Sequence, residues 1–391
     1  MTEPAPVSDR IRRAAGSMTT LLRHLGAWDD ARTAPDACDL MLGNPQEMPL
    51  PGLVETIRRH AVPEHKDWFA YKRSEPQPRA AVAQELREWR DLPFRPEDVF
   101  LTTGAFGALA VLFQALLDPG DEVAYSLPPW FLYEPMLIAA GARPVKVRVR
   151  EDDNDLDLDA LTAAIGPATR AVIVNTPSNP TGRVHPPGTL AALASLLTEK
   201  SRRFGRPIWL ISDESYSRLV YSDAEFHSPV GYYPYSALVY TYGKVLLAPG
   251  QRIGYLALSP SLPGVAAVRE AVEAAQIAAG WVFPNAIMQY AVADLAHLSI
   301  DLAELERKRD LMVRELRAAG YQLRAPEGTF YLWVRSPDPD DEAFCRRLAE
   351  RGVLVMPGSV FEVPGHFRIS LTGSRDMLER ARPVFRTVID Q

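Results

Sequence analysis

Long apolar runs, cysteine and an excess of positive charge are all scarce in this sequence. No window approaches the roughly 18 consecutive apolar residues that a membrane-spanning helix needs, so no membrane partner is expected. The only two cysteines, Cys38 and Cys345, lie far apart and lack metal-ligand spacing. That argues against a disulfide framework and a cysteine-built metal centre, and for a reducing compartment. The 43 Lys and Arg are outnumbered by 49 Asp and Glu, a net charge of -6, so no basic face advertises nucleic acid. The opening stretch MTEPAPVSDRIRRAAGS carries no apolar signal core, and a cytoplasmic location is expected. Internal repeats and flexible linkers are also missing.

What remains is the composition of a large globular protein. A chain of 391 residues with 47% hydrophobic content can bury an extensive core, and two domains are expected rather than one. Its 34 prolines fall mostly at segment edges, where they punctuate elements. SDRIRRAAGSMTTLLRHL places Ile11, Met18, Leu21, Leu22 and Leu25 at helical spacing behind Ser8-Asp9, a capping pair, and reads as one amphipathic arm. PGLVETIRRHA and PRAAVAQELREWRDL predict two further helices. From Val99 onward, short apolar runs alternate with helices: VFLTTG, DEVAYSL, PVKVRV, TRAVIVN, PIWLISD and SALVYTYG. This alternation predicts an α/β fold with a mostly parallel sheet covered on both faces. After about residue 295 come a charged helix and shorter strand and helix patterns, GTFYLWVR, DEAFCRRLAERG, VLVMPG and FRISL, which suggest a smaller α+β unit. The expected division is residues 1–45 as an arm and part of the small domain, 46–295 as the large domain and 296–391 as the small domain.

In an open α/β sheet, ligands bind outside the carboxyl ends of the strands. Those positions here are Gly104-Ala105-Phe106, Pro129-Trp130, Asn179 to Gly182, Asp213, and Thr241 to Lys244. Together they offer a small-residue anion loop, an aromatic plate, an amide, a carboxylate and a lysine, with Arg252 just beyond. Taken singly, each has a plainer reading: a turn-forming Asn-Pro, a core tryptophan, a solvated lysine.

Their order narrows the choice. NTPSNPTG (175–182), SDESY (212–216), GKVLLAPGQRIGY (243–255) and FRISL near the end resemble the fold-type I pyridoxal-phosphate enzymes, specifically the class I/II, aspartate aminotransferase-like family. The resemblance runs from about Gly43 to the C-terminus. It implies a seven-stranded-type large sheet and pyridoxal 5′-phosphate as cofactor. Lys244 would hold the cofactor aldehyde as a Schiff base and then carry a proton between substrate and cofactor. Asp213 would keep the pyridine nitrogen protonated, and Asn179 with Tyr216 would hydrogen-bond the ring hydroxyl. Gly104, Ala105 and Phe106 at a helix N-terminus, with Thr241 and Arg252, would bind the phosphate. Trp130 would cover the ring. Arg368, helped by Gly43 and Asn179, would clamp the α-carboxylate of an amino acid substrate.

Some positions depart from the pattern. Tyr71, implied to reach the phosphate of the neighbouring subunit in a homodimer, sits in a segment two residues shorter than usual and lacking its glycine. It is followed by Lys72 and Arg73, which read either as an exposed basic loop or as contacts for an acidic or phosphate-bearing part of the substrate. Gly243 stands where serine is common. Trp281, Val282 and Phe283 bring no basic residue to a segment expected to approach the partner's site, which favours an apolar or bulky substrate side chain. The leading expectation is transamination between an α-amino acid and a 2-oxo acid. The alternative is elimination, replacement, carbon–carbon bond formation or oxidation on the same scaffold. A cofactor-sensing regulator would need an added DNA-binding domain, for which the segment before Gly43 has no room.

Overall fold

The computed structural model describes residues 6–389. Its strands, in chain order, are β1 (Cys38–Asp39), β2 (Val99–Thr102), β3 (Glu122–Leu127), β4 (Arg143–Arg148), β5 (Thr169–Asn175), β6 (Trp209–Asp213), β7 (Ser236–Thr241), β8 (Gly254–Leu258), β9 (Tyr331–Arg335), β10 (Val353–Leu354), β11 (Met356–Pro357) and β12 (His366–Ser370). Seven of them form the large sheet, in the order β2-β8-β7-β6-β5-β3-β4. Every pairing among them is parallel except the two made by β8.

The apolar runs behave as fully covered strands do. All residues of β6, β7 and β8 are buried, while the edge strand β4, RPVKVR, is largely solvated. Successive side chains point to opposite faces. Ile173 and Ile211 pack with Leu109 and Phe113 on one side, and Val172, Val174 and Leu210 pack with Leu193 and Leu197 on the other. The expected α/β class and two-sided covering are therefore found. The strand that the apolar pattern did not single out is β8: only the one-turn helix Tyr242–Val245 precedes it, because it returns antiparallel beside β7 after a short excursion through residues 242–253.

The N-terminal arm differs from its expectation in one respect. Ser8 caps the first helix by accepting from the Ile11 N–H at 3.2 Å. The helical pattern, however, breaks at Met18 into Asp9–Ser17 and Thr19–Ala27. The Ser17 and Thr19 hydroxyls both donate to backbone carbonyls three residues back, at 2.8 Å each, in competition with a continuous helix. Beyond the arm, β1 pairs in parallel with β10, which joins the segment before Gly43 to the C-terminal region by backbone hydrogen bonds. There β9, β12 and β11 form a three-stranded antiparallel sheet, and the helices Leu302–Ala318 and Arg375–Val388 pack on one another. Phe330 and Tyr331 share one apolar cluster with Leu40, Tyr216 and Tyr242, so the core runs without a gap from the small sheet to the large one.

Candidate active site

The strand ends of the large sheet deliver side chains to one cavity of about 190 Å³, lined by Ala105, Phe106, Trp130, Asn179, Asp213, Tyr216, Thr241, Lys244 and Arg252 among others. All nine were singled out from sequence. A larger groove of about 790 Å³ lies between β4 and the small sheet, beside Arg148, Trp333 and His366, and contains none of them.

Asp213 closes β6 and is buried. It accepts from the Tyr133 hydroxyl at 2.5 Å, from the Ser215 hydroxyl at 2.6 Å and from the Ser215 N–H at 3.2 Å. Its register partner on β5 is Asn175, whose amide donates to the Asp213 carbonyl at 2.9 Å and accepts from the Asn179 N–H at 2.7 Å. Burial first, and then the Asp213 charge, push the Tyr133 hydroxyl well above its usual pKa, so it stays a donor.

Lys244 lies on the one-turn helix Tyr242–Val245 that follows β7. Thr241 caps that turn, its side chain accepting from the Gly243 N–H at 3.3 Å. The Lys244 Nζ is 5.5 Å from the centre of the Tyr216 ring, and among the described residues no carboxylate forms an ion pair with it. A side chain at Gly243 would press on the Pro249 backbone at 3.1 Å, so glycine there lets residues 248–250 close over the lysine turn.

The anion end of the cavity is built around Gly104, the first residue of the 13-residue helix Gly104–Leu116. Its φ of +82° is left-handed backbone, and a Cβ there would lie 2.9 Å from Arg252 Nη2 and 3.3 Å from Thr241 Oγ1. Arg252 is held in place by donating to the carbonyls of Pro249 at 2.6 Å and Thr103 at 3.1 Å. A guanidinium, a hydroxyl and the free N–H groups of a helix start thus converge on one spot. Trp130 stands beside it, edge-on to Phe106 at 5.4 Å and to Tyr133 at 5.3 Å.

Arg368 comes from the small sheet. It is 1% exposed and has no carboxylate partner among the described residues. One Nη donates to Asn179 Oδ1 at 2.9 Å and the other to the Met41 carbonyl at 2.6 Å, while its Nε has no partner. Its guanidinium lies 3.9 Å from the Tyr331 ring centre and 4.8 Å from that of Phe361. A cation buried among aromatic rings without an anion is costly unless an anionic ligand completes it. Gly43 is close by, with no room for a side chain: a Cβ would fall 2.6 Å from both the Tyr331 hydroxyl and the Phe330 ring.

Tyr71 is not brought into this cavity. It is 88% exposed and packs on Phe283 at 4.9 Å. Lys72 is engaged within its own chain, 3.7 Å from a Glu75 carboxylate oxygen and 5.7 Å from the Tyr290 ring centre, whereas Arg73 is exposed. Trp281 and Phe283 are also exposed. Sequence reasoning missed Tyr133 and Tyr331. Both stand in stretches read only as structure, and no local spacing marks either as facing a site.

The chain matches the family described as aminotransferase class I and II over residues 36–384. It is 33% identical over 365 residues to the aspartate/prephenate aminotransferase of Thermus thermophilus, covering 92% of each chain. It is 31% identical to the valine–pyruvate aminotransferase of Mycobacterium tuberculosis, covering 91% of this chain and 92% of that one. A solved amino transferase from Eubacterium rectale superposes with a TM-score of 0.91 at 30% identity, covering 98% of both chains. The chain belongs to the class I and II aminotransferases. It is a transferase that moves amino groups, and its family uses pyridoxal phosphate. These relatives do not favour the elimination, replacement, carbon–carbon bond-forming or oxidative alternative. Among the described residues no helix is long and apolar enough to cross a membrane, and no group of three or more His, Cys, Asp or Glu could hold a metal ion.

Proposed function

We propose that the chain exchanges the amino group of an α-amino acid with a 2-oxo acid, using pyridoxal phosphate held in the 190 Å³ cavity at Lys244. The observation that carries this reading is Arg368, a fully buried guanidinium with an unpartnered Nε and no carboxylate partner among the described residues. A substrate α-carboxylate supplies the missing anion. The donor set fits the cofactor as well. Arg252, Thr241 and the N–H groups of Ala105 and Phe106 would hold a phosphate, and Gly104 leaves it room. Asp213, fixed by Tyr133 and Ser215, would hold a proton on the ring nitrogen. Asn179 and Tyr216 would donate to the ring oxygen, and Trp130 would cover the ring face.

When bound, pyridoxal phosphate supplies an aldehyde and an electron-withdrawing ring. The chain's own work is binding, orientation and proton movement. Arg368 and Asn179 fix the carboxylate, which orients the α-carbon towards Lys244. The Lys244 amine removes the α-proton and returns it elsewhere as a general base and acid. Burial of Arg368 excludes water from the substrate carboxylate, and burial of Asp213 excludes it from the ring nitrogen.

Residues 46–295 serve as the cofactor-binding domain, with residues 1–45 and 296–391 as the small domain; the β1–β10 pairing supports that grouping. The protein acts in the cytoplasm as a homodimer in which Tyr71 reaches the neighbouring subunit's phosphate. Its exposure outside its own cavity supports that role. Single amino acids added to the cofactor-loaded protein should change its visible absorbance, and a 2-oxo acid should restore it with stoichiometric amino transfer. Release of ammonia or of a side-chain fragment instead would sink the reading. Lys244→Ala should lower turnover more than about a thousandfold.

A further inference from the structure

Among the residues of the site that the family pattern did not name, Tyr331 has the most specific surroundings. It opens β9, and Arg368 on β12 stands opposite Trp333, so Tyr331 is two positions along on the same face of the sheet. The Arg368 guanidinium lies 3.9 Å from its ring centre. Its hydroxyl oxygen lies against Gly43, where a Cβ would fall 2.6 Å from it, and its ring centre is 6.0 Å from that of Tyr216. The glycine at 43 is what lets the chain approach that oxygen.

The ring is also anchored from behind. Thr329, two residues earlier, adopts a φ of +67°, a region that β-branched residues rarely enter. Three hydrogen bonds hold it there: the Thr329 N–H to the Leu219 carbonyl at 2.8 Å, the Tyr221 hydroxyl to the Thr329 carbonyl at 2.6 Å, and the Tyr331 N–H to Thr329 Oγ1 at 3.1 Å. A costly backbone conformation fixed this firmly is the mark of a positioning device. Burial alone would push the Tyr331 hydroxyl up, but the Arg368 and Lys244 charges, with Tyr216 and the Gly43 backbone, outweigh it and bring it below the ordinary tyrosine value. Its partner Tyr216 is pushed up, by burial first and then by Tyr331. The charged and titratable groups facing Tyr331 are therefore Arg368, Lys244 and Tyr216.

We propose that Tyr331 is a positioning residue of this site. Its ring sets the Arg368 guanidinium for the substrate carboxylate, and its oxygen faces the Tyr216 and Lys244 end of the site. One phenol thereby links the carboxylate end of the site to the lysine end. The inference rests on the aminotransferase reading above.

Tyr331→Phe keeps the ring and removes only the oxygen. An electron-rich oxygen near Lys244 favours the protonated form of the lysine group, and its loss removes that support. In the cofactor-loaded protein, the pH midpoint of the visible absorbance change should fall by about one unit in Tyr331→Phe. Tyr331→Leu, which also removes the ring, should raise the KM for the amino acid about tenfold further. An unchanged midpoint in folded Tyr331→Phe would overturn the proposal. A wild-type protein with no visible band that depends on Lys244 would instead overturn the cofactor reading itself. If Tyr331→Phe fails to fold, ultraviolet titration of the cofactor-free wild-type chain decides. One tyrosine should ionise ahead of the rest, and its absence would overturn the proposal.

Discussion

The lysine wall and the carboxylate wall of the site are assembled in different ways. On the lysine wall, Asn175, Asp213 and Thr241 stand at the ends of adjacent parallel strands, and each is delivered by the apolar run immediately before it. Its polar contacts are short in sequence, as between Ser215 and Asp213 or between Gly243 and Thr241. On the carboxylate wall, Arg368 bonds a carbonyl 327 positions away at Met41 and an amide 189 positions away at Asn179. Its cage of Tyr331 and Phe361 comes from an antiparallel sheet and a neighbouring turn. Cofactor affinity should therefore depend on local backbone geometry, and substrate affinity on long-range packing.

Substitutions on the two walls should separate these quantities. Among substitutions that keep Lys244, the largest effect is expected from Arg368→Lys, which keeps the charge but loses the planar fork shared by Asn179, Met41 and a carboxylate. Its KM for amino acids should rise about a hundredfold with cofactor affinity nearly unchanged. An equal loss of cofactor binding, measured by equilibrium dialysis, would break the distinction between the walls. Gly104→Ala is the reciprocal case. A methyl group at a φ of +82°, 2.9 Å from Arg252 Nη2, should weaken cofactor binding about tenfold while leaving the KM at saturating cofactor unaltered.

The smallest effect concerns the small domain alone. Asp341 is buried, accepts from the Ser359 N–H at 2.6 Å and has its pKa raised to about 6, chiefly by burial. A carboxyl whose folded pKa exceeds its unfolded one stabilises the fold while protonated. That contribution is complete below about pH 4 and is lost as the pH rises through about 6. The loss should be about 1–2 kcal/mol after solvent screening, seen as a fall in melting temperature that Asp341→Asn removes.

Much of the lysine wall was legible before folding was considered. Strand-end position follows from where an apolar run stops, which places Lys244, Asp213 and Thr241, while their roles needed the order of the motifs as well. β8 was less visible because its antiparallel return leaves only the one-turn helix Tyr242–Val245 to mark it. Tyr133 could be read only as a helix residue, since its partner Asp213 is 80 positions on. Tyr71, Lys72 and Arg73 formed a single basic stretch in sequence. In the fold Lys72 turns to Glu75 and Tyr290 while Tyr71 and Arg73 face outward, a choice made by the packing of the helix Pro76–Arg90 and of Tyr290.

By itself the amino-acid sequence determined the alternation of strands and helices, the family and the strand-end position of Lys244, because each is written in residues close together along the chain. The tertiary structure decided which hydroxyls face Asp213 and Arg368, how completely that arginine is buried, and that Tyr331 lies between Gly43 and Tyr216. Those outcomes depend on strand register and on contacts between segments hundreds of residues apart, and no local pattern encodes them.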